Sequence, residues 1–598
     1  MNIMNSHNKK YVQKAVTLCC GFAAVLTGMT SCSDFLEIKP QSEIILEDFW
    51  NEKADVDNIV AGCYSALQSD DVRRRMMVWG EFRSDNIMSG QNINSDVNLY
   101  NVLKENITAM NSYTTWDGFY TVINRCNTVL KYAPGVAAID PAFTQGDLKA
   151  TIAEVTALRS LCYFYLIRTF RDVPFSREAF TDDDQRMDLP AMPFYEVLDN
   201  LIADLESVKD DAVSRYPETK PKYQTGRITK TAIHAMLCEM YLWKNDYDKC
   251  IHYADLVIQA MKDLDEENEK KNGGRSLTTE AALERRLNGF PLVPDNLQAS
   301  SVTFGTPYRT IFVNGSSKET IFELAYDENP VGNGMTANTA ISKFYGNATA
   351  QKGLVAASSA VTDDITATSG RSIFEDKNKK LDARLYQNCL TDGGNIVKMA
   401  CPNLTIDART ANEPQLSGKP SYFGEKDNST QWIIYRLPDI MLLKAEALCQ
   451  KMVEGSDEAT VEFNRPMLEE AFRMVNVVNK RSICKAVLED ADTLKLSEYS
   501  TKNSMEGLVM RERQRELMFE GKRYYDLVRY AMRSNNTDGI ISASAKRDDV
   551  NKQFAQNFFK KMDAIFWPYN IEETKVNRNL VPNPAFSSGE SESYEKTN

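Results

Sequence analysis

The chain has 598 residues, of which 43% are hydrophobic and 26% charged, with a formal net charge of −13 and a pI near 5.1. That composition belongs to a globular protein, and the acidic balance without a basic stripe excludes a nucleic-acid footprint. The one basic run, Arg73-Arg74-Arg75, reads as a solvated loop.

The N-terminus reads as an export signal. Lys9, Lys10 and Lys14 form a basic region, and Ala15 to Leu26 is an apolar stretch too short to span a bilayer. Met29-Thr30-Ser31-Cys32 then resembles a bacterial lipobox, with Met29 where such signals usually have Leu. Residues 1–31 are therefore expected to be removed as a lipoprotein signal peptide, and Cys32 to carry the lipid. Nothing later is apolar for long enough to cross a membrane, so the protein is expected to be tethered, not embedded.

After an extended tether, Ser33 to Ile45, the pattern predicts a helix over Glu47 to Gln68. Asn86 to Tyr113 is polar and Asn-rich and predicts an irregular loop. Helical period returns over Trp116 to Ala133 and Ala150 to Phe170. The second of these ends at Arg171-Asp172-Val173-Pro174, because a residue before proline avoids the α region. Pro193 opens another helix, running to Lys209.

Thr229 to Ala260 reads as two short helices folded back on each other. Thr229 is the expected N-cap, with Ile228 and Ile233 at staple positions. Ile233, Leu237 and Met240/Tyr241 line the first helix, and Tyr247, Cys250, Ile251, Ala254, Val257 and Ile258 the second. The polar turn between them is Lys244-Asn245-Asp246. This is the pattern of one tetratricopeptide-type repeat, and a lone repeat cannot bury its apolar face, so further helix pairs are expected beside it.

From Glu266 to Gln431 the chain is rich in Gly, Asn, Ser and Thr, with short strand-like runs such as Thr320 to Leu324. An irregular layer of that size is commonly functional. Helices resume at Pro438 and Pro466, separated by an acidic linker, Val453 to Arg465. The last strong helical stretch is Leu508 to Arg533. The fold expected is mainly α, a tetratricopeptide-like scaffold (helices over about 150–260 and 436–531) carrying a large insert of loops and short strands (about 266–431).

Cysteines and histidines suggest no chemistry. No CxxC pair exists in the mature chain, so a zinc knuckle is unsupported. Cys162, Cys238, Cys250 and Cys449 lie in helical patterns as small hydrophobes. If the Thr391-Asp392-Gly393-Gly394 turn closes between Leu390 and Asn395, Cys389 faces Ile396 and not Cys401, so free thiols are expected. His234 and His252 both sit in the helix pair, with no nucleophile motif to match. Gly332-Asn333-Gly334 lacks the strand and helix of a dinucleotide loop. No pair among the acids is singled out for glycoside hydrolysis. No enzyme, cofactor or metal is expected, and the sequence leaves a structural calcium open.

Seven segments carry a resemblance in their order. SCSDFLEIKPQ resembles the lipidated N-terminus of the SusD/RagB family of outer-membrane nutrient-binding lipoproteins. Trp116, Tyr120, Ile123 and Asn127 are similar to its W–Y–I–x–x–x–N helix. AEVTALRSLCYFYLIRTFRDVPF resembles its R-x-x-x-Y-F helix running into G-D-V-P, with Arg171 where the family favours Gly. GRITKTAIHAMLCEMYLW and RLPDIMLLKAEAL are similar to two of its scaffold helices. RERQRELMFEGKRYYDLVRY is close to its E-R-x-x-E-L-x-F-E-G-x-R-x-[FY]-D-L signature, and FWPYNIEETKVNRNLVPNPAF to its closing tail. Within the signature, Glu520/Arg523, Lys522/Asp526 and Asp526/Arg529 have spacings that let them pair along one helix, fixing scaffold geometry, and Gly521 marks a bend or a tight contact.

The resemblance implies a division into residues 32–230 and 231–598. It implies a surface lipoprotein, anchored at Cys32 to the outer membrane, that captures oligosaccharides and hands them to a SusC-type TonB-dependent barrel transporter. In that family the repeat helices face the transporter. A peptide- or protein-capturing RagB-like role is the alternative, and a surface glycoside hydrolase a distant third.

A sugar site needs flat aromatic faces beside short polar groups, and helical stripes are committed to packing. The expected contacts therefore lie in the irregular segments: Asn92, Asn94, Asn98, Tyr100 and Asn101 in the first, then Tyr308, then Phe344 and Tyr345. Tyr100 and Tyr345 are the expected stacking platforms and Asn101 a hydrogen-bonding partner.

Overall fold

Helices account for most of the chain, and several begin at a Ser, Thr, Asp or Asn whose side chain accepts from a free N–H of the first turn. The computed structural model describes residues 49–182, 184–273, 287–295, 303–326, 337–362, 372–374, 381–408, 414–485 and 487–586. The signal peptide, Cys32, the tether and Gly332-Asn333-Gly334 lie outside the described residues. Two units are distinguished, residues 1–51 and everything from Glu52 onward. In the first, only Phe49–Asn51 are described, with the Phe49 and Trp50 rings edge to face at 5.4 Å. The scaffold and the insert both belong to the second unit, and the division at residue 230 falls within it.

Helix α1 (Lys53–Leu67) starts at a Glu52–Asp55 capping box, later than the apolar spacing alone suggests. Helix α2 (Asp70–Met77) contains the arginine triplet. Arg73 and Arg75 are buried, so the expected solvated loop is corrected: Arg73 bonds the Tyr326 hydroxyl and Arg75 donates to the Thr115 carbonyl at 2.6 Å. A π-helical turn, Val78–Phe82, leads to β1 (Ile87–Ser89) and the short helix α3 (Val97–Leu103).

Two long helices follow, α4 (Asp117–Ile139) and α5 (Gln145–Phe170), then strands β2 (Val173–Pro174) and β3 (Ala191–Met192) and helix α6 (Phe194–Val208). Among the described helices α5 is the one long and apolar enough to cross a membrane, and it is buried in this body. The expected helix pair is present as α7 (Lys230–Trp243) and α8 (Tyr247–Lys271). Thr229 caps α7 by accepting from the Ala232 N–H at 3.2 Å, and Asn245 turns the chain with a positive φ of 63°. α8 runs eleven residues past the expected end at Ala260, mostly as an exposed, charged extension.

The insert contributes strands β4 (Thr320–Leu324) and β5 (Val355–Ala357), and β6 (Trp432–Arg436) leads back to the scaffold. β1 pairs with β5, β2 with β3 and β4 with β6, all antiparallel. Helices α9 (Leu437–Lys451) and α10 (Glu458–Arg481) form the next pair. Most of the expected acidic linker is therefore helix. Asp457 accepts from the Thr460 N–H at 3.0 Å and starts α10 there, with Pro466 inside it.

The expected long helix over Leu508 to Arg533 is in fact two, α11 (Lys502–Glu516) and α12 (Arg523–Ser534), followed by α13 (Asp538–Ala545), α14 (Lys552–Phe559) and α15 (Ile571–Val576). The break is at Gly521, with φ 73°. Its carbonyl lies against Gly80 so closely that a Cβ on Gly80 would stand 2.0 Å from that oxygen. Gly521 is thus both the bend and the tight contact read from the sequence.

The helices pack as a row of neighbours: α1 on α4, α4 on α5, α5 on α6, α7 on α8, α8 on α9, and α9 on both α10 and α11. The further helix pairs that a lone repeat requires are there, and the fold is the mainly α scaffold expected.

All nine described cysteines are free and buried. Cys389 bridges to Ile396, with the Leu390 N–H bonded to the Asn395 carbonyl at 2.8 Å, as the turn reading required. Cys238 and Cys250 face each other across α7 and α8 at 3.8 Å.

Candidate functional site

Helix α3 organises the candidate surface. Asp96 caps it, accepting from the Leu99 N–H at 3.0 Å, and Leu99, Val102 and Leu103 point into the core. The opposite face is left out, with Val97 66% and Tyr100 38% exposed. The expected irregular loop is thus corrected in part. Its few apolar residues recur at helical spacing, enough to seat one short helix.

The asparagines around Tyr100 are built in. Asn92 donates to the Lys352 carbonyl at 3.0 Å, which ties the turn before α3 to the insert. Asn98 accepts from the Ser112 N–H at 3.2 Å. The Asn101 carbonyl accepts from the Asn106 N–H at 2.9 Å. Asn94 is exposed. The Lys104 ammonium lies 5.4 Å from the Tyr100 ring centroid and bonds the Asp549 carbonyl oxygen. Asp549 in turn accepts from the Ser89 N–H at 2.8 Å. One ring is thus partly exposed, with one cation against it, on a backbone fixed from several sides.

Three expected contacts are corrected. Tyr308, Phe344 and Tyr345 are core residues, at most 2% exposed. The Tyr308 hydroxyl donates to the Cys401 carbonyl at 2.8 Å, and that of Tyr345 to the Phe519 carbonyl at 2.9 Å. Phe344 meets Phe82 edge to face at 5.1 Å. The signal was present, since Ile341, Phe344 and Tyr345 share one face of the helical turn Thr339–Phe344. Missed in turn were Tyr422 and Phe423, half-buried and lying beside the 346–352 turn. The Phe423 carbonyl accepts from the Ala348 N–H at 2.8 Å. Two adjacent aromatics in a Gly/Ser/Lys-rich stretch were the available cue.

A buried ionic network is centred on the signature segment. Arg436 grips Glu520 through two bonds of 2.8 Å and Glu516 through one of 2.5 Å. Lys398 reaches Glu520 at 2.7 Å, Arg384 reaches Glu516 at 2.9 Å, and Arg523 reaches Asp85 at 2.8 Å. Burial alone would raise the Glu516 carboxyl, but the guanidinium groups of Arg481, Arg436 and Arg384 hold it well below the usual range. Of the pairs expected along one helix only Asp526–Arg529 forms, at 2.7 Å. Glu520, Lys522 and Arg523 bond across the fold, because the break at Gly521 turns them to different neighbours. Their role is structural, as the sequence indicated.

Among the described residues, Glu81, on the π-helical turn, forms no ion pair. It accepts from Asn86 at 2.8 Å and from the N–H groups of Phe519, Lys522 and Arg523 at 3.1–3.4 Å, so it clamps the bend. Burial pushes its carboxyl up to about 7, opposed by those four donors.

Two larger concavities lie away from α3. A groove of about 790 Å³ between the 214–231 loop, α8 and residues 316–321 holds Tyr216, Lys230 and His234. His234 is pushed down to about 4, first by burial. A cleft of about 470 Å³ lies between the start of α4, the 174–189 segment and α15. Among the described residues, no group of three or more His, Cys, Asp or Glu side chains is placed to hold a metal ion.

The chain matches two family models, the SusD family over residues 318–586 and "starch-binding associating with outer membrane" over residues 34–242. It is 25% identical over 533 residues to SusD-like protein P38 of Formosa agariphila, covering 84% of this chain and 88% of that one. Among solved structures it is similar to a SusD homolog from Bacteroides thetaiotaomicron, with a TM-score of 0.61, 17% identity, and coverage of 90% and 98%. It is also similar to a laminarin binding SusD-like protein, with a TM-score of 0.55, 16% identity, and coverage of 90% and 100%. A third is surface glycan-binding protein A from Bacteroides thetaiotaomicron in complex with laminarihexaose, with a TM-score of 0.56, 15% identity, and coverage of 89% and 100%. With the scaffold, the signature bend and the closing tail all in place, the chain belongs to the SusD/RagB family.

Proposed function

We propose that this protein captures oligosaccharides at the cell surface and delivers them to a SusC-type TonB-dependent transporter, held to the outer membrane by a lipid on Cys32. The family carries this reading. One matching model is described as starch-binding and outer-membrane-associated, and two similar structures are named for a glycan ligand. The α3 surface supports it, since a partly exposed tyrosine ring on an Asn-rich segment suits the alternating C–H and hydroxyl faces of a sugar. A binding role is the reading the relatives favour, since the two similar structures named for a ligand are glycan-binding proteins.

Calorimetric titration with neutral oligosaccharides of differing linkage tests the reading. Tyr100→Ala is expected to weaken binding of the recognised saccharide by about thirtyfold while leaving the melting temperature unchanged. Tyr345→Ala, by contrast, is expected to fail through stability, since removing a buried aromatic costs about 3–5 kcal/mol. Wild-type affinity in Tyr100→Ala would move the site off α3. Binding of peptides and of no saccharide would replace the ligand class.

A further inference from the structure

The cleft of about 470 Å³ is walled by Tyr120, Ile123, Phe180 and Leu580, with Trp116 at its base. At its mouth Met187 is 58% and Val576 77% exposed. Most polar groups of the wall are already used. The Tyr120 hydroxyl donates to the Pro174 carbonyl at 2.7 Å, and the Asn124 side chain bonds both the N–H and the carbonyl of Phe180, at 2.8 and 2.9 Å. Asn577 donates to the Leu189 carbonyl at 2.7 Å, closing α15 over the cleft.

Two carboxylates remain, Glu573 and Asp117. Asp117 is exposed and Glu573 half-buried; among the described residues neither forms an ion pair, and the Trp116 side chain donates to Glu573. Burial, with Asp117 nearby, raises the Glu573 carboxyl above the ordinary value. At Glu573 negative charge has lost part of its water without gaining a cation, which is costly, and an incoming cation would relieve that cost, with the exposed Asp117 beside it adding attraction. Aromatic walls favour the same occupant through cation–π attraction.

We propose that this cleft is a second binding site, distinct from the α3 surface, for an organic cation: an ammonium, amidinium or guanidinium group carried on a flat or apolar body. The charged end pairs with Glu573 and Asp117, while the body lies against Tyr120 and Phe180. Such a group can come from a free amine or from an arginine or lysine side chain of a peptide.

Benzamidinium is the probe, titrated against the purified lipoprotein in detergent by ligand-observed NMR, with neutral benzamide as its isostere. Benzamidinium is expected to bind with a millimolar Kd, well below the ceiling for so small a ligand, and benzamide about tenfold or more weaker. Glu573→Gln is expected to weaken benzamidinium about tenfold and leave benzamide unchanged. If Glu573→Gln does not fold, Phe180→Ala, which weakens both ligands, and the isostere comparison on wild type decide the matter. Equal affinity for the two probes, or no benzamidinium binding at about 20 mM, overturns the proposal, because even fragments reach millimolar affinity in a matched pocket. N-acetyl-arginine amide outcompeting its citrulline analogue would identify a peptide side chain as the source. Discrimination confined to benzamidinium would identify a free amine.

Discussion

Arg171 shows how one side chain can sit where the local backbone asks for none. The family's glycine position is occupied here by arginine, at φ 71° and ψ −76°. The Asp172 N–H bonds the Phe170 carbonyl at 3.1 Å across it, so Arg171 is the centre of a γ-turn, a strained conformation for an L residue. Its guanidinium pairs with Asp172 and Asp563, but at 41% exposure such pairs contribute little. Arg171→Gly and Arg171→Ala both lose the pairs and differ only in backbone freedom. We expect the glycine variant to be more stable than the alanine variant by about 1–2 kcal/mol in denaturant titration. Equal stabilities would mean that the turn relaxes at no cost. Site residues were less legible at this scale. Tyr100 and Tyr345 look alike in sequence, each an aromatic near asparagines. Only the packing of Ile341 and Phe344 sends Tyr345 inward, while the cap at Asp96 leaves Tyr100 outside.

Elements were more legible than residues, because periodicity reports burial directly. α4 to α9 lie near where apolar spacing placed them. Two of the misses share a cause: charge was read as an absence of structure. Arg73-Arg74-Arg75 and the start of α10 are both charged and both helix, the first with Arg73 and Arg75 buried, the second on an exposed face. In the signature segment the helix was legible, but the burial of its charges and the break at Gly521 were not. A buried charge gives no periodic signal, since its partners lie far along the chain. The network has a pH consequence. Despite the opposing effect of burial, neighbouring cations hold the Glu516, Glu520 and Glu446 carboxyls below their ordinary values and lower Asp439 to about 2. For a carboxylate with a depressed folded-state pKa, the unfolded chain binds more protons on acidification. The stabilisation is complete above about pH 4.5 and is lost as pH falls toward 2. Glu81, raised to about 7, runs the other way and costs stability as pH climbs from about 4.5 to 7. The melting temperature should therefore fall by on the order of 10 °C between pH 6 and pH 3, and Glu81→Gln should flatten the gentler decline on the neutral side. A flat profile below pH 4.5 would show that the ion pairs add nothing to stability.

At the scale of the whole chain, sequence models divide what the structure joins. The two family matches meet no closer than residues 242 and 318 and read as separate segments. Yet Arg83 donates to the Ala564 carbonyl at 2.9 Å, Arg523 pairs with Asp85, and Gln514 bonds Asn86 at 2.8 Å. The Trp567 N–H bonds the Thr169 carbonyl at 2.8 Å, and the Thr169 hydroxyl meets that of Tyr525 at 2.9 Å. Every one of these contacts is buried or joins buried residues, and each ties the first third of the chain to the last hundred residues. Separating the two segments would part Asp85 from Arg523 and leave the Glu81 carboxylate with Asn86 alone, and breaking a buried pair costs about 3–5 kcal/mol. Several such losses together exceed the usual stability of a domain, about 5–15 kcal/mol, so neither segment has a stable state alone. The body should therefore melt in one calorimetric transition, with van't Hoff and calorimetric enthalpies in agreement. Residues 34–242 expressed alone should lack the sharp near-ultraviolet signal of packed aromatics. Two resolved transitions, or a cooperatively melting N-terminal fragment, would show that the crossing contacts join two bodies that fold independently.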